Sequence, residues 1–452
     1  MTAALGTLLF GGMTGFVAGV MLASCLDLDI EAHLAKTDAA LLASVMVMQY
    51  ALARAYSVAK AGWKNAFAFW TAMGIGILLK GPIILLPFFS TLIWLRCTDK
   101  KLPWFKRLKP IMGLPYLLML ILPWFIAINM ASHGRFAEQA GGHDFLAKLW
   151  QGQDRGFMPP GYYVLLFPAF FFPFSLFALL ALPDAWKARR DHAVNFLLGW
   201  IIPSWIVFEI AFTKLPHYVL PVYPAIAILT AKFFLDGFPA LVALTKRWFP
   251  ATIIGLWTVI GMGFAIAAAV LPYIVNGALD PLQIACSLIL LIAQGAGLLF
   301  FVQGKKAATL VSLVCGALIF SGVAFAATAP GLHRLWIARE IMDEARRVTP
   351  CPHFSVVSAG YQEPSLGFLA GTGTKLVPNG TFAAAEMQHD HCRVGVIDAH
   401  LLTNFLYSSS DFPDQPRPAG SVIEGVNTGH GAGTKLFLYV MPQTPIVIPA
   451  YP

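Results

Sequence analysis

Charge is what this sequence has least of. Lys, Arg, Asp and Glu together make up 12% of its 452 residues, where a soluble domain carries about 25%. That excludes one large soluble enzyme, and it excludes a disordered chain, which needs charge to stay solvated. Cysteine is scarce too: six residues without a framework spacing exclude a secreted disulfide scaffold. A nucleotide-binding loop is also missing. Gly371-Thr372-Gly373-Thr374-Lys375 resembles one only loosely, without the strand–loop–helix spacing such a loop needs.

What is abundant is apolar sequence. Hydrophobic residues reach 58% and mean hydropathy is +0.69. Apolar runs recur from residue 3 to residue 328, and about 18 such residues suffice to cross the hydrocarbon core as a helix. The runs predict eleven spans, roughly 3–24, 38–58, 65–79, 81–96, 110–130, 161–183, 193–212, 218–236, 249–272, 282–302 and 307–328. The expected class is an all-α polytopic membrane protein over 1–330, with an outer loop at 131–160 and a small α/β domain over 331–452. Only Lys80-Gly81-Pro82 separates the third and fourth runs. Proline breaks helix there, so a tight helical hairpin is expected.

The net charge of +8 divides unevenly. Residues 331–452 hold eight Lys and Arg against ten Asp and Glu, so an excess of +10 lies in 1–330. It sits in alternate loops, at Lys60 and Lys64, Lys100 to Lys109, Lys187 to Arg190, Lys246 and Arg247, and Lys305 and Lys306. The positive-inside tendency makes these loops cytoplasmic, which puts the N-terminus inside and the tail outside. This charge controls topology and does not signal a nucleic-acid partner. The opposite loops hold Lys36, Lys80, Arg135, Lys148, Arg155 and Lys214. Each reads singly as a snorkelling flank residue. Together they form a cationic outer face suited to a phosphate-bearing lipid headgroup.

In the tail, β-prone runs (353–358, 392–398, 420–426, 435–441) alternate with helix-like stretches at 333–347 and 381–388, and 427–433 reads as a hairpin turn. Cys351 and Cys392 either pair, in a compartment that permits disulfides, or stay as buried thiols. His389-Asp390-His391-Cys392 reads as a solvated turn, because adjacent residues rarely ligate one ion together.

Three segments bear chemistry. Thr213-Lys214-Leu215-Pro216-His217-Tyr218 offers a cation, an imidazole and a phenol on a proline-stiffened backbone at a membrane boundary. Such a set binds phosphate, or it forms part of an interfacial aromatic belt. The loop 131–160 carries His133, Arg135, His143, Lys148 and Arg155 and is long for a connector. Asp29, Glu31, His33, Lys36 and Asp38 follow the first run. Ionisable groups at a helix mouth face water or one another; Glu31, His33 and Asp38 are a metal set of weak ligand spacing.

Ala35-Lys36-Thr37-Asp38-Ala39, Gly76 to Pro82, Pro159 to Tyr163 and Lys214-Leu215-Pro216-His217-Tyr218 occur in this order at span boundaries. In this the sequence resembles the GT-C membrane glycosyltransferases related to protein O-mannosyltransferases and to the lipid A aminoarabinose transferase, over residues 1 to about 330. The resemblance implies transfer of a sugar from a polyprenyl-phosphate donor to a lipid, glycan or protein acceptor in a bacterial inner membrane. No cofactor is required, and a divalent metal stays open. It implies that Tyr218 and Lys148 lie near the donor phosphate, with Lys80, Lys214 and His217 as looser matches. The family opens with a span and an outer loop whose acidic pair includes the general base. This sequence starts at the family's third span and shows no such loop, which leaves Asp29 and Asp38 as the carboxylates to consider. Loss of a general base costs about 10²–10⁴-fold, so the resemblance implies slow or absent transfer by this chain alone. The competing reading is a non-catalytic polyprenyl-lipid-binding protein or transporter. An inverted repeat would favour it, and none is evident.

Overall fold

A computed structural model of the chain describes residues 1–138, 158–237, 248–427 and 432–442. The chain divides into two compact units, Met1–Ala267 with Leu282–Val323, and Ala268–Pro281 with Ala324–Pro452. In chain order the described α-helices of eight or more residues up to Val323 are α1 (Thr2–Phe10), α2 (Gly12–Ala23), α3 (Leu26–His33), α4 (Asp38–Ser57), α5 (Trp63–Lys80), α6 (Leu85–Asp99), α7 (Pro110–Ala131), α8 (Tyr162–Phe170), α9 (Ser175–Lys187), α10 (His192–Ile210), α11 (Tyr223–Asp236), α12 (Trp248–Asn276), α13 (Pro281–Val302) and α14 (Lys306–Val323).

Apolar side chains gain little by leaving lipid for one another, so helices in a membrane join where small residues let backbones approach. The first unit follows that rule. On α1 and α2, Gly6 faces Gly15 and Ala3 faces Gly19, an antiparallel register that closes at Gly11, whose φ is 96°. On α7, Gly113 lies against the Trp70 indole, whose Nε1 donates to the Leu108 carbonyl at 2.7 Å. A Cβ on Gly15 would stand 2.2 Å from the Ala3 carbonyl oxygen, while one on Gly12 would meet nothing within 4 Å. Gly15→Val is therefore expected to destabilise by about 1–3 kcal/mol through overpacking, and Gly12→Ala to be near neutral. Thermal unfolding in detergent compares the two.

Among the described residues, eight stretches are long and apolar enough to cross a membrane, or nine when the pair α2 and α3, bent by 58°, counts as one. Two of the eleven runs read from hydropathy are corrected. The run 3–24 is the α1–α2 hairpin, not one span. The run 161–183 breaks into α8 and α9, each too short to cross. Trp63–Asp99 passes as one apolar stretch, yet it is the expected hairpin: the chain reverses at Gly81, so the Phe69 and Phe88 rings meet edge to face 5.4 Å apart.

The two breaks repair each other. A break in lipid frees backbone groups that the protein itself must satisfy. Leu26 N–H, at the start of α3, donates to the Phe172 carbonyl at 3.2 Å. Cys25 Sγ reaches the Phe170 carbonyl at 3.1 Å, and Trp257 Nε1 donates to Pro173 O at 2.8 Å. The short, bent segment α3 is thus fixed inside the bundle.

The second unit carries a mixed sheet of β1 (Ser355–Ala359), β2 (Lys375–Val377), β3 (Arg393–Asp398), β4 (Arg417–Pro418), β5 (Ile423–Asn427) and β6 (Ala432–Val440). The order is β2-β1-β3-β6-β4, with β5 paired to β6. The first three strands are parallel and β6 is antiparallel to β3. The β-prone runs of the tail are these strands, and β5–β6 is the hairpin read at 427–433, its connecting residues 428–431 lying outside the described set. The helix Ile337–Val348 packs on one face with Val356, Val394 and Val396. The helices Gly380–Gln388 and Leu402–Ser409 cover the other. Cys351 and Cys392 are joined by a disulfide. Glu344 accepts Ser421 N–H and an Arg347 N–H, each at 2.6 Å. The backbone donor first, and then the guanidinium, hold its carboxyl below the usual carboxylate range.

Candidate functional site

The helix ends of the first unit sort by charge. Tyr56 OH donates to Asp99 at 3.0 Å, Asn195 Nδ2 to Thr98 at 2.9 Å, and Arg107 to the Ala55 and Val58 carbonyls. The Tyr56 and His192 rings stack at 3.8 Å. Ser57, Asp191 and Lys232 line one cavity, and Lys306 Nζ donates to Leu235 O at 2.6 Å. The positive loops around 60, 100–109, 187–190 and 305–306 therefore share one end of the unit.

At the other end of α4 and α5 lies a cluster of opposite character. Asp38 opens α4, and Lys80 closes α5. A carboxylate at a helix N-terminus and an ammonium at a C-terminus each suit the helix dipole, and the two bond directly, Lys80 Nζ to Asp38 Oδ1. On α3, Asp27 and Glu31 are four residues apart and so share a face, which is buried to 1% and 3% exposure. The segment Pro216–Val222, a 3-10 turn stiffened by Pro216 and Pro221, brings in the third element. His217 Nδ1 lies 3.2 Å from Glu31 Oε1 and its Nε2 3.7 Å from Asp38 Oδ2. Tyr218 stands edge-on to His217 at 5.3 Å, and Lys80 Nζ lies 5.4 Å from the Tyr218 ring centre, in cation–π range. Lys36 Nζ is 4.0 Å from Glu31 Oε1 and half exposed.

Of the residues singled out in the sequence, His217, Tyr218, Lys80 and Asp38 come together here. Lys214 adjoins them in sequence, but its buried ammonium donates to Ala211 O at 2.6 Å and Met158 O at 2.8 Å, leaving one N–H for another acceptor. Asp29 lies on the opposite face of α3, lining a small cavity with Phe172, Phe264 and Ser321. Lys148 lies outside the described residues. The metal set read as Glu31, His33 and Asp38 has a different imidazole. His33 is exposed, its Nδ1 2.7 Å from Asp29 O, whereas one ligand atom each from Glu31, Asp38 and His217 lie within 4.8 Å of one another. Asp27 was missed altogether. Its spacing from Glu31 was the available signal, because two acids at i and i+4 inside an apolar run share one buried face.

No family model matches the chain. Solved structures do. The crystal structure of ArnT from Cupriavidus metallidurans bound to undecaprenyl phosphate superposes with a TM-score of 0.70 over 97% of this chain and 81% of that one, at 16% identity. The apo state of the same protein gives 0.66. The chain has the ArnT fold. Among curated proteins, it is similar to undecaprenyl phosphate-alpha-4-amino-4-deoxy-L-arabinose arabinosyl transferase 1 of Pseudomonas fluorescens, 27% identical over 185 residues, 38% of this chain and 32% of that protein. It is also similar to the arabinosyl transferase of Wigglesworthia glossinidia brevipalpis, 30% identical over 204 residues, 42% of this chain and 34% of that protein. The aligned part spans about a third of the curated relatives' length. The polytopic helical fold with a small C-terminal sheet, expected from the sequence, is thus a fold shared with ArnT over 97% of this chain.

Proposed function

We propose that the chain is an integral membrane glycosyltransferase that takes a sugar from a polyprenyl-phosphate donor and passes it to a hydroxyl of a lipid A-like, glycan or protein acceptor. We place it in the bacterial inner membrane, with the N-terminus and the positive loops cytoplasmic and the C-terminal unit periplasmic. The observation that carries the reading is the cluster of Lys80, Tyr218 and His217. It sits at the end of α4 and α5 away from the positive loops, in a chain with the fold of a protein solved with undecaprenyl phosphate. The sharing of one end by the positive loops supports the topology.

In this reading the acceptor oxygen attacks the anomeric carbon as a carboxylate takes its proton, and the bond from that carbon to the phosphate oxygen breaks. The leaving phosphate gains negative charge beside the Lys80 ammonium and the Tyr218 hydroxyl, donors already in place at the moment of transfer. His217, the remaining N–H of Lys214 and Lys148 complete the proposed phosphate set. Of the two carboxylates considered for the base, Asp38 faces this cluster and Asp29 faces away.

A hydrogen bond to a charged group contributes about 1.5–3 kcal/mol, or about 10–100-fold in affinity. Tyr218→Phe is therefore expected to weaken undecaprenyl-phosphate binding by at least about 10-fold. Lys187→Ala, in a positive loop at the opposite end, should leave it unchanged. Native mass spectrometry in detergent reads both. Equal binding by wild type and Tyr218→Phe refutes the assigned phosphate site.

A further inference from the structure

The end of the first unit that carries the positive loops also holds a cavity of about 470 Å³, a size within the range of small-ligand sites, about 300–1,000 Å³. The proposed transfer makes no use of it. It opens where three stretches long and apolar enough to cross a membrane have their ends, at Ser57, His192 and Asp236, which is the level of lipid headgroups. Its floor is apolar, from the half-buried Leu8, Leu9 and Phe10 of α1 and Phe233 of α11. Its rim carries charge of both signs. Lys232 Nζ donates to Asp236 Oδ1 and Oδ2 at 2.8 and 2.6 Å, which leaves one N–H, and it lies 5.8 Å from the Phe10 ring centre. Asp191 Oδ1 accepts the N–H groups of Ala193 and Val194, and its Oδ2 has no hydrogen-bond partner among the described residues. The exposed His192 ring, stacked on Tyr56, brings an imidazole to the same rim.

We propose that this cavity binds the headgroup of a zwitterionic aminophospholipid, an ethanolamine phosphate on a diacylglycerol. Two carboxylates against one ammonium give the rim an excess of negative charge, so a ligand that is only anionic is disfavoured. Lys306, beside Asp236 in space, gives an N–H to Leu235 O and does not line the cavity. The primary ammonium of ethanolamine has three N–H donors to offer Asp191 Oδ2 and Asp236, and such bonds between charged groups are the strong ones. The phosphate finds the remaining Lys232 N–H and an imidazole N–H of His192. The glycerol and the first methylenes of the acyl chains cover Leu8, Leu9, Phe10 and Phe233. A lipid therefore accounts for an apolar floor beneath a charged rim, which a soluble amine would leave uncovered. A choline headgroup carries the same charges but no N–H, so it cannot make the bonds to the two carboxylates. The inference depends neither on the proposed transfer reaction nor on which side of the membrane this end faces.

The test uses the full chain, purified and delipidated in detergent. It is titrated with dilauroyl phospholipids that differ only in an ethanolamine, choline or glycerol headgroup, and bound lipid is counted by native mass spectrometry. The expected result is one ethanolamine lipid per chain, held at least about 10-fold tighter than either of the others. The double variant Asp191→Asn with Asp236→Asn should lose that preference. Asparagine caps a helix as well as aspartate does, and an exposed ion pair contributes little to stability, so the fold is retained. Asp184→Asn makes the same change of charge in an exposed pair outside the cavity and should keep the preference. Equal affinity of the wild-type chain for the three lipids overturns the site. A preference that survives in the double variant overturns it as well, since the headgroup would then be held elsewhere. Glycerophosphoethanolamine, which has no acyl chains, should compete far more weakly than the lipid, and equal competition overturns the assignment to a lipid.

Discussion

Lys80→Met is expected to be among the most damaging single changes in the first unit. It removes the ammonium from Asp38, whose carboxylate is only 9% exposed in its side chain. Breaking one partner out of a buried ion pair costs about 3–5 kcal/mol, because the other charge stays buried without compensation. Lys80 itself is 29% exposed, so water softens the loss and the lower end of that range applies. The sign of the second change is the informative part. Asp38→Leu alone leaves the more exposed ammonium behind and should cost less. The double variant should be more stable than Lys80→Met, with a coupling of about 1–3 kcal/mol. Thermal unfolding of the four proteins closes the cycle. If Lys80→Met melts with the wild type, the pair contributes nothing to the fold, and Lys80 is kept solely for a ligand.

The same pair shows what the sequence could and could not convey. Gly81-Pro82 announced the reversal between α5 and α6, because a proline and a glycine of φ 69° leave the chain no helical continuation. The segment from Lys214 to Tyr218 was legible as a stiffened boundary motif, and it does carry His217 and Tyr218 into the cluster. Hydropathy gave no warning at Gly11 or at Phe171 to Phe174. An apolar hairpin and an apolar span have the same composition, and what separates them is where the backbone groups of the break find partners. Those partners, such as Phe172 O for Leu26 N–H, lie about 150 residues away in the chain. The role of His217 was hidden for the same reason. Read locally, it was a neighbour of Lys214 and Tyr218. Only the packing of α3 against the 3-10 turn shows that its ring lies between two carboxylates. The choice between His33 and His217, by contrast, was open to reasoning, because His33 is two residues from Glu31 and so off its face.

Asp27→Leu is expected to act in the opposite direction and to stabilise the chain. Both carboxylate oxygens of Asp27 are buried without a partner among the described residues, and the nearest acids, Glu31 and Asp38, add like charge. A buried polar group left unsatisfied costs about 1–3 kcal/mol, and more when charged, whereas leucine keeps the branching at Cγ and leaves no polar atom unsatisfied. Replacing buried ionic groups by apolar ones is often neutral or stabilising. A residue that weakens its own fold persists where the site needs it, here as negative charge behind Glu31. The expected result is a higher melting temperature for Asp27→Leu than for wild type, by the equivalent of about 1–3 kcal/mol. A lower melting temperature would mean that Asp27 has a stabilising partner after all.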